Sequence, residues 1–148
     1  FFGLVAVNLT YYVQALHFDM RVFLLSIAMG LLSINILLVN NYRDMEEDAA
    51  AGKRTTVVLF GRTFARWWYL VNGVVAVGLV LPLLLPLGPY YDGLVPVVLY
   101  LCLHVKTWVE IGRRSGTELN PLLGGTARNL LVFTLLISAV WICKGFGL

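Results

Sequence analysis

Between Asn40 and Thr55 the chain reads Asn-Asn-Tyr-Arg-Asp-Met-Glu-Glu-Asp-Ala-Ala-Ala-Gly-Lys-Arg-Thr. Four of the eight acidic residues of the whole chain fall between Asp44 and Asp48, and the cations Arg43, Lys53 and Arg54 flank them. The alanines favour a helix as far as Ala51, and Gly52 favours a stop. Such a helix sets Asn40, Asp44 and Asp48 at i, i+4 and i+8 along one face, with Asn41 beside it and Glu46 and Glu47 turned elsewhere. Asp44 and Asp48 are then ~6 Å apart along the axis. Magnesium takes one or two protein carboxylates and completes its octahedron with water and phosphate oxygens. Asp44 and Asp48 can therefore hold a diphosphate through the metal. Arg43, Lys53 and Arg54 can neutralise the remaining phosphate charge, arginine in a bidentate way. A solvated helix end of mixed charge has the same composition, and spacing alone leaves both readings open. Two soluble-protein motifs are excluded. An EF-hand loop starting at Asp44 wants Gly where Ala49 stands. A P-loop wants Ser or Thr after Lys53, where Arg54 stands, and Gly in place of Glu47.

The elements that must position these residues are membrane helices. The chain has 148 residues, of which 59% are hydrophobic and 13% charged, and its mean hydropathy is +0.83. Soluble domains carry about 25% charged residues, so a chain this poor in charge cannot cover a water-facing surface. Five segments reach or approach the ~20 apolar residues that a span needs: Phe1 to Leu16, Val22 to Val39, Trp67 to Leu87, Gly93 to Val109 and Pro121 to Cys143. The expectation is an all-α, multi-pass transmembrane bundle of about five helices forming one domain over residues 1–148. No internal repeat is visible. The opening Phe1-Phe2 lies inside an apolar run without a basic flank, so the chain does not open on a signal peptide and reads as part of a longer protein. Cys102 and Cys143 lie in apolar stretches without metal-ligand spacing and are expected to be packing or lipid-facing residues. No basic tract with interleaved aromatics is present, so nucleic acid is not an expected partner.

Orientation follows from the cations. The connectors alternate sides, and one side collects Arg43, Lys53, Arg54, Arg62, Arg66, Lys106, Arg113, Arg114 and Arg128, leaving only Arg21 and Lys144 for the other. The positive-inside rule puts the Asn40–Arg66 connector in the cytoplasm and the C-terminus outside. Trp67, Trp68 and Trp108 then mark the cytoplasmic interface, and Tyr11, Tyr12, Tyr90, Tyr91 and Trp141 the other, as aromatic belts do.

The stretch Asn40-Asn41-x-Arg43-Asp44-x-x-x-Asp48-x-x-x-Gly52-Lys53-Arg54-Thr55, followed by Val57-Val58-Leu59-Phe60-Gly61, closely resembles the second aspartate motif of the UbiA superfamily of intramembrane prenyltransferases. The paired asparagines, the Arg before the first Asp and the Gly-Lys-Arg-Thr ending are most similar to the menaquinone branch, the 1,4-dihydroxy-2-naphthoate polyprenyltransferases. The helix layout resembles the C-terminal part, fifth to ninth helices, of a nine-helix fold. The resemblance implies that Asp44 and Asp48 are the metal-binding and catalytic carboxylates, and that Asn40, Asn41, Arg43, Lys53 and Arg54 serve the substrate. It also implies a cytoplasm-facing cavity, magnesium as cofactor, a polyprenyl diphosphate donor whose tail lies toward lipid, and 1,4-dihydroxy-2-naphthoate as acceptor. Diphosphate departs, an allylic cation alkylates the electron-rich ring, and in this branch the ring carboxylate is lost as carbon dioxide. The bacterial cell membrane is the implied location. The family's partner Asn/Asp motif, between its second and third helices, has no counterpart here, so the chain alone is expected to be an incomplete enzyme without the N-terminal helices. Within the family the alternatives are 4-hydroxybenzoate, haem O and chlorophyll prenyl transfer. Outside it stands an ion-binding transporter fragment, disfavoured because transport sites lie near the midplane and these acids cluster at a helix end.

Of the remaining polar residues, Asn35 is read chiefly as an interhelical hydrogen-bonding group. His104 and Lys106 lie near the cytoplasmic end of their span, His104 with a neighbour to pair with and Lys106 able to snorkel. Arg128, one turn beyond Gly124-Gly125-Thr126, serves either the cavity mouth or the interface. His17 and Asp19 lie on the far side and carry no assigned chemistry. The orientation is testable. In a variant lacking Cys102 and Cys143, Ala50→Cys is expected to be protected from impermeant thiol reagents in intact cells and Asp92→Cys to react; the reverse pattern overturns it.

Overall fold

The computed structural model describes residues 1–84 and 93–145. The uncharged apolar runs become long helices: α2 (Met20–Arg43), α4 (Thr56–Leu84), α5 (Leu94–Ile111) and α6 (Asn120–Gly145). All four are long and apolar enough to cross a bilayer. A π-helical turn, Phe2–Val7, leads into the short α1 (Asn8–Ala15); the six-residue α3 (Met45–Ala50) follows α2, and a 3-10 turn, Gly116–Leu119, leads into α6. No strand occurs among the described residues. The expected turn Pro86–Asp92, with Tyr90 and Tyr91, lies outside them.

The first apolar run forms the π-helical turn and α1 and ends at Leu16, whose φ of 54° is left-handed, where its apolar residues were expected to end. The later boundaries differ from hydropathy in instructive ways. α2 outlasts its apolar run at both ends. Asp19 caps its start, accepting a hydrogen bond from the Arg21 backbone N–H at 2.7 Å, and the polar residues Asn40 to Arg43 extend its end. α4 starts well before Trp67 because Thr56–Phe60 is already helical; Gly61, with φ 83° and ψ 168°, then kinks the chain in a conformation that only glycine adopts without strain.

Helices in lipid gain nothing by hiding apolar surface from an apolar solvent, so close packing and hydrogen bonds must hold them. α2 packs along α4, α4 against α5, α5 against α6, and α6 returns to α2, closing a four-helix ring. Its interior has two apolar layers. One contains Leu32, Ala76, Val80, Val97, Tyr100 and Phe133; the other contains Leu38, Val57, Tyr69, Ile111, Leu119 and Leu122.

Between them in sequence on every helix lies a buried polar group. Asn72 donates to the Asn35 side-chain oxygen at 3.0 Å, and Asn35 donates to the Tyr69 carbonyl at 3.2 Å. Asn129 donates to Thr107 Oγ1 at 2.9 Å, and Tyr69 Oη lies 3.5 Å from Thr126 Oγ1. Asn35 is thus the interhelical group that its position suggested.

His104 is likewise paired with its neighbours. Its ring is 1% exposed and stacked between Tyr69, at 4.6 Å and 11°, and Tyr100, at 5.3 Å and 19°. Its Nδ1 lies 3.2 Å from Tyr100 Oη and its Nε2 3.3 Å from the Leu70 carbonyl, which matches a proton on Nε2. Lys106 and Arg128 are exposed on α5 and α6. Cys102 and Cys143 are free and exposed.

Gly73 lets α4 approach α5 here, since a Cβ at this position would collide with His104 Nε2. The imidazole, held on both faces, cannot step aside. Gly73→Ala is therefore expected to destabilise the bundle by about 1–3 kcal/mol, measured as reversible unfolding in detergent. In a His104→Ala background most of that cost should vanish; an undiminished cost would show that the collision is not its cause.

Candidate functional site

The acidic stretch sits where α2 ends. The expected unbroken helix to Ala51 is not observed: α2 stops at Arg43, Asp44 has φ −92° and ψ 10°, and α3 begins at Met45. The hydrogen-bond ladder survives the bend, with Asp44 N–H donating to Asn40 O at 3.0 Å and Asp48 N–H to Asp44 O at 2.8 Å. The physical reason lies in the charge pattern. Glu46, Glu47 and Asp48 occupy the first turn of α3, where helix polarity favours anions, whereas the end of a continuing α2 would disfavour them.

Gly52 ends α3 as expected, with φ 71°. The Lys53 N–H reaches Asp48 O at 2.8 Å and the Gly52 N–H reaches Ala49 O at 3.1 Å. These are the two bonds of a glycine-terminated helix cap.

Each carboxylate expected to bind metal has a cation beside it. Arg43 grips Asp44 through two bonds, Nε to Oδ1 at 2.6 Å and Nη2 to Oδ2 at 2.8 Å. The same guanidinium donates to Asn40 Oδ1 at 3.0 Å and to Asn120 Oδ1, at the start of α6, at 2.9 Å. Lys53 Nζ lies 2.7 Å from Asp48 Oδ1, and the Asp48 side chain is 8% exposed against 66% for Lys53. The Arg43 guanidinium, with a contribution from Lys53, holds the Asp44 carboxyl below the usual range. The Asp48 carboxylate, by hydrogen bond, raises the Lys53 ammonium. Asp44 is therefore anionic at neutral pH.

Glu46 faces away from this pair. Its side chain is exposed and lies 2.8 Å from Arg62 Nη2, and that guanidinium sits 5.4 Å over the Tyr42 ring. Glu47 and Arg54 are exposed and Asn41 is half-buried. The structure thus brings Asn40, Arg43 and Asp44 into one hydrogen-bonded group and Asp48 and Lys53 into another. Sequence reasoning missed Asn120, Tyr42 and Arg62, whose roles depend on contacts between helices; only the Asn before Pro121 was a visible signal, and it pointed elsewhere.

An open cleft of about 820 Å³ starts at Asn40 and runs back along α2. Its wall is apolar, lined by Ile27, Leu31, Ile34 and Leu37 of α2, by Phe2 and by Leu123 of α6. Among the described residues no group of three or more His, Cys, Asp or Glu side chains could hold a metal alone. Two hard carboxylates with amide oxygens nearby nevertheless fit magnesium, which commonly leaves the rest of its shell to water and phosphate.

The sequence profile of the UbiA prenyltransferase family matches residues 1–120. The chain belongs to that family. It is 38% identical over 138 residues to the 1,4-dihydroxy-2-naphthoate octaprenyltransferase of Mycobacterium tuberculosis, covering 93% of this chain and 46% of the relative. It is 33% identical over 145 residues to the protein of the same name in Mycobacterium leprae, covering 98% and 48%. A third so named, from Haemophilus influenzae, is 42% identical over 71 residues, covering 48% and 23%. The chain spans about half the length of the two mycobacterial relatives. No solved structure gives a significant match. As a UbiA-family chain with four apolar helices, it is an integral membrane protein.

If Asp44 and Asp48 bind metal for prenyl transfer as the motif implies, Asp44→Asn and Asp48→Asn in the full-length protein should each lower that activity by roughly two orders of magnitude, since each would remove a charged ligand at constant size. Glu46→Gln is expected to cost about threefold or less, because it breaks only an exposed ion pair. Equal losses for all three would show that Asp44 and Asp48 have no special role.

Proposed function

We propose that the full-length protein transfers a polyprenyl group from polyprenyl diphosphate to 1,4-dihydroxy-2-naphthoate, with loss of the ring carboxylate as carbon dioxide, giving demethylmenaquinone. The names of the relatives support the acceptor and the prenyl donor. The observation that carries the reading is the arrangement along α2: an apolar cleft of about 820 Å³ ends at Asn40, one turn before Asp44. An amphiphile with an anionic head and a hydrocarbon tail is complementary to that sequence of surfaces. From Ile27 to Asn40 the cleft follows α2 for about 20 Å, long enough for several isoprene units.

On this reading Asp44 and Asp48 hold magnesium at the diphosphate head. Bound magnesium supplies Lewis-acid stabilisation of the charge that collects on the departing diphosphate. Asn40 and Asn41 orient the head at the mouth of the cleft. Lys53, exposed and tethered by one ion pair, exchanges Asp48 for a phosphate oxygen, and exposed Arg54 adds a second cation. Arg43 has one N–H left for phosphate after its four bonds within the site. The cleft walls exclude water from the allylic carbon that becomes electrophilic. On this reading the loop faces the cytoplasm of a bacterial cell, from which the acidic acceptor arrives, while the prenyl donor is held in the bilayer by its tail and presents its diphosphate at that surface.

The test uses the purified full-length protein with magnesium, a polyprenyl diphosphate and 1,4-dihydroxy-2-naphthoate labelled in its carboxyl carbon. Labelled carbon dioxide is expected in a one-to-one ratio with prenylated product. A clear preference for 4-hydroxybenzoate, with its carboxylate retained, would move the protein to another branch of the family.

A further inference from the structure

We propose that Asn120 is a positioning residue for Asp44, acting across the bundle through Arg43. It rests on the reading of Asp44 as a ligand at the metal–diphosphate head. Asn120 precedes Pro121 at the start of α6, the place and residue type that normally cap a helix through the side-chain oxygen. Here Asn120 is already helical, with φ −53° and ψ −44°, and its oxygen accepts from Arg43 Nη1 at 2.9 Å.

The residue before it is fixed. Leu119 is 0% exposed and packs in one layer with Leu38, Val39 and Tyr42, so the start of α6 is anchored against the end of α2. Arg43 is then held from three directions: by Asn40 on its own helix, by Asn120 on α6, and by both oxygens of Asp44. A planar guanidinium with both terminal nitrogens bonded cannot rotate, and its fork fixes the carboxylate plane of Asp44. Without Asn120, Nη1 loses its protein acceptor, the guanidinium gains freedom about its long stem, and the Asp44 carboxylate follows it. The link reaches 77 residues along the chain and ties α6, which supplies no proposed metal ligand, to the metal-binding group.

Manganese binding to the full-length protein with a polyprenyl diphosphate, read by electron paramagnetic resonance, tests this alongside the magnesium dependence of turnover. Asn120→Ala is expected to weaken manganese binding and raise the half-saturating magnesium concentration about five- to tenfold, the size of one lost charge-assisted hydrogen bond discounted for exposure. Asn120→Asp, which keeps an acceptor for Arg43, is expected to restore both to within about twofold. Asn120→Gln keeps the amide but displaces it by one methylene; it is expected to fall between them and carries the comparison should the alanine variant not fold.

Wild-type metal affinity in Asn120→Ala or Asn120→Gln overturns the proposal. So does a loss of stability and turnover with metal affinity unchanged, which marks a merely structural residue. Asp44→Asn in the same assay separates the two levels. If it abolishes manganese binding while Asn120→Ala leaves the affinity at its wild-type value, the positioning role alone is wrong; if it binds manganese normally, the assignment of Asp44 to metal fails and takes this inference with it.

Discussion

The hydrogen bond from Asn72 to Asn35, inside a ring of four membrane-spanning helices, sets the terms for the rest of the molecule. A polar amide placed in hydrocarbon has no water to turn to and must find its partner on another helix. Asn35 finds two on α4, an amide N–H from Asn72 and the Tyr69 carbonyl, and so fixes α2 against α4 in both height and rotation. Thr107 and Asn129 do the same for α5 and α6. Apolar layers above and below could tolerate sliding by a turn. The polar layer cannot, because each shift would leave several groups unpaired at once.

That registration is what delivers the acidic motif to one place. α2 runs unbroken from the polar layer to Arg43, about two turns beyond Asn35, so the height of Asn40 and Asp44 is inherited from the Asn35 pairing. The start of α6 is inherited through the same ring, and Asn120 meets Arg43 only because both helices are locked. The bend at Asp44 then turns α3 away from the α2 axis. Glu46 is carried to Arg62 on α4, leaving Asp44 and Asp48 with Arg43 and Lys53.

Much of this was legible in the residues, for a physical reason in each case. Spans are written in composition because lipid tolerates few charges, and four of the five apolar runs became spanning helices. The stop at Gly52 was legible because a left-handed cap demands glycine. The end of the first run at Leu16 was legible because the polar residues His17 and Asp19 follow it. The bend at Asp44 was missed because the alanines at 49–51 were weighed for helix propensity, while the three acids ahead of them were not weighed as the start of a new helix. Asn72, Tyr69, Thr107 and Asn129 were passed over because nothing local marks which polar residue in an apolar helix will meet which. Asn120 was hidden more deeply: its setting before Pro121 announces a cap, and the structure uses its oxygen elsewhere.

The two cations of the motif are held so differently that they cannot be doing the same work. Arg43 spends four of its five N–H groups on protein oxygens from two helices and sits with its side chain only 26% exposed. Lys53 makes one contact, and its stem is largely in the open. Breaking the first arrangement costs several coordinated bonds; breaking the second costs one ion pair whose ammonium is already largely in water. Yet the glycine cap holds the Lys53 backbone on the Asp48 carbonyl at 2.8 Å, so the side chain can let go without the residue leaving. A rigid guanidinium beside Asp44 and a tethered, releasable ammonium beside Asp48 give the acidic pair one fixed member and one exchangeable one. On the proposed function, an anionic head arriving with its own metal would use that combination: one carboxylate already aimed, and one whose resident cation can be transferred to the phosphate.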